Sequence, residues 1–165
     1  MNFLKELMTK TKGKITVKTL WGEETYCFLW NAPARLEEIE AFECKNKCSL
    51  PNYYKEFLLD SNGAIIYSTE DEYEDSGYKL LSIEEIEQVT QDMKAISYDI
   101  PDKWYCFMQC LFSPDILLFD LNKQTNYIID GDVEYPVAEW EYIKADINMF
   151  FSRLCQCNGA MYWRW

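Results

Sequence analysis

The stretch LEEIEAFECKNKCSLPNYYKEFLLDSNGA, residues 36–64, contains two helical patterns separated by a proline. In the first, apolar residues recur from Leu36 at the spacing of one helix face, while glutamates occupy the solvent face. Leu50-Pro51 ends this helix, since proline lacks a backbone donor, and a second helical pattern follows over residues 52–61. Asn62-Gly63 predicts the end of the second helix, because glycine readily adopts the left-handed conformation of a C-cap.

The chain before this stretch predicts a short helix and a pair of strands. Residues 2–11 have the pattern of a short polar helix. Residues 14–20 and 25–30 have the alternation and β-branched composition of strands, and the turn between them predicts a hairpin. Asn31 and Pro33 predict the start of the first long helix, because asparagine caps free amides and proline is tolerated in a first turn.

An acidic segment interrupts the apolar pattern after the two helices. Residues 64–67 predict a strand, and the apolar pattern resumes at residues 78–81. Between them STEDEYEDSG, residues 68–77, is the most acidic part of the chain and predicts an exposed loop. Ser82 and Glu85 then form a capping box, which predicts the start of a helix.

The last third of the chain predicts strands and a closing helix. Three aromatic or β-branched runs between residues 104 and 131 are separated by turn residues, which predicts an antiparallel meander. The last helix is predicted from Asp146, although Trp140 and Ile143 also fit its apolar face and leave an earlier start open. The aromatic tail NGAMYWRW, residues 158–165, is predicted to pack on the core rather than to form an exposed patch.

These elements predict an α+β fold, with N-terminal helices packed on a mostly antiparallel, twisted sheet and a closing C-terminal helix. No linker or internal repeat is evident. The length of 165 residues therefore predicts one domain over residues 1–165, with residues 1–30 as a candidate N-terminal extension or hairpin.

The net charge of −12, from 28 acidic and 16 basic residues, limits the partners that the protein can bind. Such a field repels phosphate backbones and anionic membrane surfaces, so we expect neither a nucleic-acid nor a membrane partner. It attracts a basic protein at low salt, and we expect a protein partner bound by a monomer or weak dimer. Solubility alone is the competing explanation for the charge.

The absence of histidine removes the commonest general base and metal ligand, and it excludes Ser-His and Cys-His triads within the chain. Seven cysteines, an odd number, without an apolar leader or membrane-spanning run favour free thiols in a reducing cytoplasm. A zinc site formed by Cys44, Cys48, Cys106 and Cys110 is the alternative, but the spacing is not that of common zinc motifs. We expect no metal and no cofactor, and phosphate-binding loop motifs are absent from the sequence.

Four carboxylates in the strand-rich half are candidates for hydrolytic chemistry. They are Asp115, Asp120, Asp130 and Asp132. A carboxylate-based hydrolase requires them to converge in one pocket. Turn chemistry around Gly131 is the simpler interpretation of the last two, because Asp-Gly is favoured in hairpin turns. We therefore predict no catalytic residue.

A set of motif positions between the two helices and the glycine turn carries a family resemblance. The pattern is I-x-x-F-E on the first helix, L-P-x-x-Y-K-x-F-L on the second, and N-G after it. The matching residues are Ile39, Phe42, Glu43, Leu50, Pro51, Tyr54, Lys55, Phe57, Leu58, Asn62 and Gly63. This pattern resembles the SUKH superfamily, also called the Smi/Knr family. The chain departs from it at Ala64 and Ile147, where the family has Gly and Ser.

The resemblance covers about residues 35–155 and implies a protein-binding role without a catalytic motif. Bacterial proteins of this type are often immunity proteins that bind and neutralise polymorphic or contact-dependent toxins, many of them nucleases. Others are cytosolic adaptors or regulatory scaffolds, which is the alternative here. The implied partner is a basic toxin effector domain, and the motif residues above are expected to be structural.

The acidic segment is the candidate partner-binding site, because acidic side chains complement a basic nuclease cleft. Its residues are Glu70, Asp71, Glu72, Tyr73, Glu74 and Asp75. Tyr67 and Tyr78 flank it as candidate aromatic anchors. An inert exposed loop is the competing interpretation.

Overall fold

The computed structural model describes residues 2–11, 13–20, 22–69, 75–125 and 127–165. The α-helices are α1 (Phe3–Lys10), α2 (Leu36–Asn46), α3 (Asn52–Asp60), α4 (Ile83–Ile96) and α5 (Ile147–Gln156). The strands are β1 (Lys14–Thr19), β2 (Gly22–Trp30), β3 (Ala64–Thr69), β4 (Tyr78–Leu80), β5 (Trp104–Cys110), β6 (Ile116–Asp120), β7 (Ile128–Gly131) and β8 (Glu141–Ile143). No helix in these ranges is long and apolar enough to cross a bilayer.

The strands form one sheet in the order of the chain, β1 to β8, and every neighbouring pair is antiparallel. The predicted α+β fold with its closing helix α5 is therefore confirmed. The hairpin of β1 and β2 pairs with β3 and belongs to this sheet. The strand β8 was not predicted, because it has only three residues and its pattern matches a helix face.

The core lies where the central strands meet the helices. Phe107 of β5 and Phe119 of β6 stack with centroids 4.0 Å apart, and the ring of Tyr54 from α3 packs edge-on against both. A second helix, α5, also contacts this stack, through Phe150 against Phe107 of β5. These aromatic rings are fully buried, so packing of α3 and α5 against the central strands contributes much of the hydrophobic stabilisation.

The capping box of α4 is confirmed, with Glu85 N donating to the Ser82 side chain and Ser82 N to the Glu85 carboxylate at 3.0 Å. The start of α2 was predicted wrongly, because the N-cap is Arg35 and not Asn31. The Asn31 side-chain amide instead donates to Asn62 O at 2.8 Å, which joins the segment before α2 to the segment after α3.

Two other turn predictions need correction. Helix α3 ends at Asp60 with an extended C-cap at Ser61, and Gly63, with φ of 88°, lies at the entrance to β3. Asp130 and Gly131 lie within β7 and not in a turn. The helix start at Asp146 is confirmed, because its side chain accepts from Met149 N at 2.8 Å.

Candidate functional site

The turns of the four hairpins all lie at one end of the strands. In a sheet whose neighbours are consecutive and antiparallel, alternate connections fall at the same end. The connections β1–β2, β3–β4, β5–β6 and β7–β8 share one end, and helices α1 to α5 attach at the other. We call the first the hairpin end, and its described residues are 20, 75–77, 111–115 and 132–140, together with the adjoining strand ends.

Acidic side chains outnumber basic ones among the described residues of the hairpin end. The acidic residues are Glu23, Glu24, Asp75, Asp115, Asp130, Asp132, Glu134, Glu139 and Glu141, and the basic residues are Lys18, Lys79 and Arg164. The charge of the chain is thus concentrated where the turns meet. A concave surface of one charge sign raises the local concentration of oppositely charged partners.

Arg164 draws three of the four candidate carboxylates together. Its Nε and Nη2 donate to the two oxygens of Asp130 at 2.6 and 2.8 Å, and its Nη1 lies 2.9 Å from Asp115 Oδ2 and 3.2 Å from Asp132 Oδ2. The side-chain hydrogen bond to Asp130 raises the pKa of Arg164 further above its ordinary value, so the guanidinium stays charged. The fourth carboxylate, Asp120, lies apart and accepts from Tyr142 Oη at 2.8 Å.

This arrangement differs from that of a paired-carboxylate hydrolase. A guanidinium occupies the position between the carboxylates where a glycosidase holds the bond to be cleaved. The ion pairs fix the C-terminal segment to β7 and to the turn after β5. The arrangement therefore supports anchoring and charge presentation.

A cavity of about 370 Å³ opens beside this ion-pair cluster. Its acidic lining consists of Asp130, Asp132, Glu139 and Glu141, with Arg164 at one side. Its aromatic lining consists of Tyr135, Trp140, Tyr142 and Trp163. We call it the acidic cavity. Aromatic rings next to unneutralised carboxylates favour a cationic or protein ligand.

A second cavity, of about 610 Å³, lies under the β1–β2 hairpin. Tyr26, Tyr67, Tyr78 and Phe112 line it, and Leu20, which is 98 % exposed, stands at its edge. We call it the tyrosine groove. The ring centroid of Tyr78 lies 6.0 Å from that of Trp163 in the acidic cavity, so the two cavities are neighbours. Exposed apolar residues around an aromatic groove are typical of protein-binding surfaces.

Tyr67 has a strained backbone at the floor of the tyrosine groove. Its φ is 55°, which is unfavourable for a bulky residue. Gly77 and Gly159 make room for it: a Cβ at Gly77 would lie 2.6 Å from Tyr67 C, and one at Gly159 would lie 2.5 Å from Tyr67 Cγ. Burial raises the pKa of the Tyr67 hydroxyl, which therefore stays protonated. Such strain concentrates at functional sites.

Most of the predicted partner-binding segment lies outside the described residues. Only Asp75 of the six is described, and it is exposed in the turn before β4. Thr69 N donates to Ser76 Oγ at 2.7 Å, so the flanks of the segment meet at the hairpin end. Tyr67 and Tyr78 are 4 % and 1 % exposed. They form the floor of the tyrosine groove and do not project as anchors.

The cysteines of the alternative zinc site do not assemble into a ligand set. Cys106 and Cys110 are buried in β5, Cys44 is exposed and Cys48 is half-buried. Burial raises the pKa of the Cys106 and Cys110 thiols to about 12 each, which keeps them protonated and unreactive. Across the described ranges, no group of three or more cysteine or carboxylate side chains is arranged to hold a metal ion.

The tyrosine of the motif holds α3 to the central strands. Tyr54 is fully buried, and its hydroxyl lies 2.9 Å from Leu81 O and 3.2 Å from Phe107 O. Leu81 N also donates to Phe107 O, so these hydrogen bonds hold the residue after β4 against β5 and connect both to α3. A buried hydroxyl with such partners fixes the position of the helix.

The polar residues of the motif fix the connections around α3. Glu43 accepts from Leu50 N at 2.7 Å and pairs with Lys55 Nζ at 3.1 Å, which holds the turn between α2 and α3. Asn62 accepts from Ile83 N at 2.8 Å and so satisfies an open amide of α4. The apolar members at the motif positions lie in the core; they are Ile39, Phe42, Leu50, Phe57 and Leu58.

This motif belongs to a known family. The model of the SMI1 / KNR4 family (SUKH-1) matches residues 33–153. The chain belongs to the SMI1 / KNR4 family. The match confirms the resemblance derived from residues 36–64, and it spans β3 to β8 and helices α2 to α4 in full.

Two proteins of Bacillus subtilis (strain 168) are similar over most of their length. Uncharacterized protein YobM is 29 % identical over 177 aligned positions, which cover 100 % of this chain and 89 % of YobM. Uncharacterized protein YnaB is 25 % identical over 149 positions, which cover 85 % of this chain and 89 % of YnaB. These similarities extend beyond the region that the family model matches.

The hairpin end combines the SMI1 / KNR4 region with segments outside it. Several lining residues lie outside the match: Leu20, Tyr26, Gly159 and Ala160 line the tyrosine groove, and Trp163 and Arg164 line the acidic cavity. The sequence analysis did not predict Arg164 as the centre of the acidic cluster. The sequence feature that could have indicated it is that Arg164 is the single basic residue in the aromatic-rich tail, residues 158–165.

Proposed function

We propose that this protein is a non-catalytic protein-binding module and acts as an immunity protein. In this role it binds a toxin's effector domain stoichiometrically and neutralises it. Membership of the SMI1 / KNR4 family supports a role in protein interaction. The concentration of acidic and aromatic side chains at the hairpin end is the observation that carries the proposal.

A nuclease effector has to hold a polyanion and therefore presents a basic surface. The acidic hairpin end provides the complementary charge, which accelerates association at low salt. The tyrosine groove and the acidic cavity provide aromatic contacts that slow dissociation once the surfaces meet. Bound in this way, the module blocks the cleft of the toxin without performing chemistry.

Binding without catalysis agrees with the chemistry of the chain. The sequence has no histidine, and the three converging carboxylates are engaged by Arg164. We place the protein in the cytoplasm as a monomer or weak dimer, where its seven cysteines stay reduced. We further propose that Glu70, Asp71, Glu72, Tyr73, Glu74 and Asp75 contribute to the same surface, since Asp75 lies at the hairpin end.

The test is protection of cells from a toxin encoded next to the gene of this protein. The toxin's effector domain is expressed with or without the protein, and growth is followed. We expect full rescue and a 1:1 complex whose association rate falls steeply between low and high salt. Absence of rescue, with capture of several unrelated partners indifferent to salt, would refute neutralisation and support the adaptor role.

A further inference from the structure

We propose that the acidic cavity is a receptor for an arginine side chain presented by the basic protein partner. The inference rests on the function proposed above and adds the chemistry that recognises the partner. It is drawn from the charges, the aromatic walls and the resident guanidinium of the cavity.

The cavity remains negative after its own arginine is counted. Arg164 pairs with Asp130 and Asp132 at the inner side. Glu139 and Glu141 are exposed at the outer side, and neither forms an ion pair with another residue in the part of the chain that the structure describes. Two carboxylates are thus open to a second cation that enters from solvent.

The aromatic walls are held in place before any ligand arrives. Trp140 Nε1 donates to Asp132 O at 2.8 Å, and Tyr142 Oη donates to Asp120 at 2.8 Å. Lys123 Nζ lies 3.3 Å from the Tyr142 ring centroid and occupies that face of the ring, so the stacking surface for an incoming guanidinium comes from the other aromatic residues of the lining, Tyr135, Trp140 and Trp163. Fixed rings of this kind bind a guanidinium by stacking and cation–π attraction at little entropic cost.

The geometry favours arginine over other cations. The carboxylates of this site already hold one guanidinium in a bidentate contact, Arg164 on Asp130. A planar, five-donor group matches paired carboxylates and aromatic faces better than the point charge of lysine. A metal ion is a poorer fit, because no set of three or more carboxylates or thiols in the described ranges is arranged to hold one.

The shape and position of the cavity suit a side chain attached to a protein. Its volume of about 370 Å³ is in the range of ligand pockets. It lies at β8, the last strand of the sheet, which pairs only with β7 among the described residues. A partner loop can therefore approach the cavity from the open side of the sheet.

The test uses the purified full-length protein and a tetra-arginine peptide at physiological salt, followed by tryptophan fluorescence and calorimetry. The matched control peptide is tetra-citrulline, which keeps the shape and removes the charge. Two double variants remove the same charge, Glu139→Gln with Glu141→Gln at the cavity, and Glu37→Gln with Glu40→Gln on the exposed face of α2. We expect the cavity variant to weaken arginine binding at least about tenfold and the α2 variant to change it less than about twofold.

Equal loss in both variants would reduce the effect to overall charge and overturn the proposal, as would equal binding of the citrulline peptide. The two proposals fail separately. A toxin that is neutralised with unchanged affinity by the cavity variant refutes the arginine receptor and leaves the function standing. Selective arginine binding without any neutralised toxin refutes the function and leaves the receptor standing.

Discussion

Replacement of Arg164 by glutamine removes the charge that holds the C-terminal segment to the sheet. The side chains of Asp115 and Asp130 are only 9 % and 14 % exposed, and Arg164 itself is 27 % exposed. Loss of the guanidinium leaves these carboxylates without a cation in a largely buried site. A charge-assisted hydrogen bond contributes about 1.5–3 kcal/mol, and partial exposure reduces the gain from each.

We therefore expect Arg164→Gln to lower the free energy of unfolding by about 3 kcal/mol, taking two such contacts at the lower end of the range. For a chain of this size that corresponds to a fall in melting temperature of roughly 6–12 °C. Thermal and urea unfolding measured by circular dichroism test this value. Arg164→Lys keeps the charge but not the bidentate geometry, and we expect it to recover part of the loss.

Arg35→Gln is the matched control, because Arg35 is 76 % exposed where it pairs with Glu38 on α2. We expect no measurable change in its unfolding midpoint. A double-mutant cycle of Arg164→Gln with Asp130→Asn isolates the pair itself. The reasoning is refuted if the coupling energy is near zero, or if Arg164→Gln costs no more than Arg35→Gln.

Two further predictions concern the core and the pH dependence. Tyr54→Phe removes the hydroxyl that donates to Leu81 O at 2.9 Å, and we expect it to lower the free energy of unfolding in urea by about 1–3 kcal/mol. Tyr53→Phe, on the exposed side of α3, is the control and should change it little. Equal losses in the two variants would contradict a stabilising buried hydrogen bond. Burial opposes ionisation of Glu85, but hydrogen bonds from Lys79 and from the capping box lower its pKa below the ordinary 4.5. The ionised side chain therefore stabilises the fold above pH 4.5. The difference in unfolding free energy between wild type and Glu85→Gln should close as the pH falls through the folded-state pKa. A difference that persists at low pH would contradict this.

Local signals in the sequence predicted the elements whose partners lie close along the chain. The capping box of Ser82 and Glu85 needs only four consecutive residues, so its outcome does not depend on the rest of the fold. Asn31 has the same capping chemistry, but its amide is used by Asn62, which lies 31 residues away. The cap prediction fails because long-range contacts hold Asn31 before the helix, which begins only at Leu36 with Arg35 at its N-cap.

The candidate site was less predictable because it is formed by long-range contacts. Arg164 meets Asp130 across 34 residues and Asp115 across 49, and no periodic pattern encodes such pairs. Ile143 matched the helix face of α5 because a three-residue strand is too short to show its own alternation. Only its pairing with Ile128 in β7 defines it as a strand.

The placement of helices α1 to α5 opposite the hairpin turns divides the described part of the molecule into two regions that can change independently. Substitutions or insertions in the turns leave the helix contacts of Tyr54 and Glu43 intact, because those contacts lie with the helices. Surface turns tolerate changes in length at small entropic cost. The same scaffold can therefore acquire a new specificity by exchange of its turns, as antibody domains do with their binding loops.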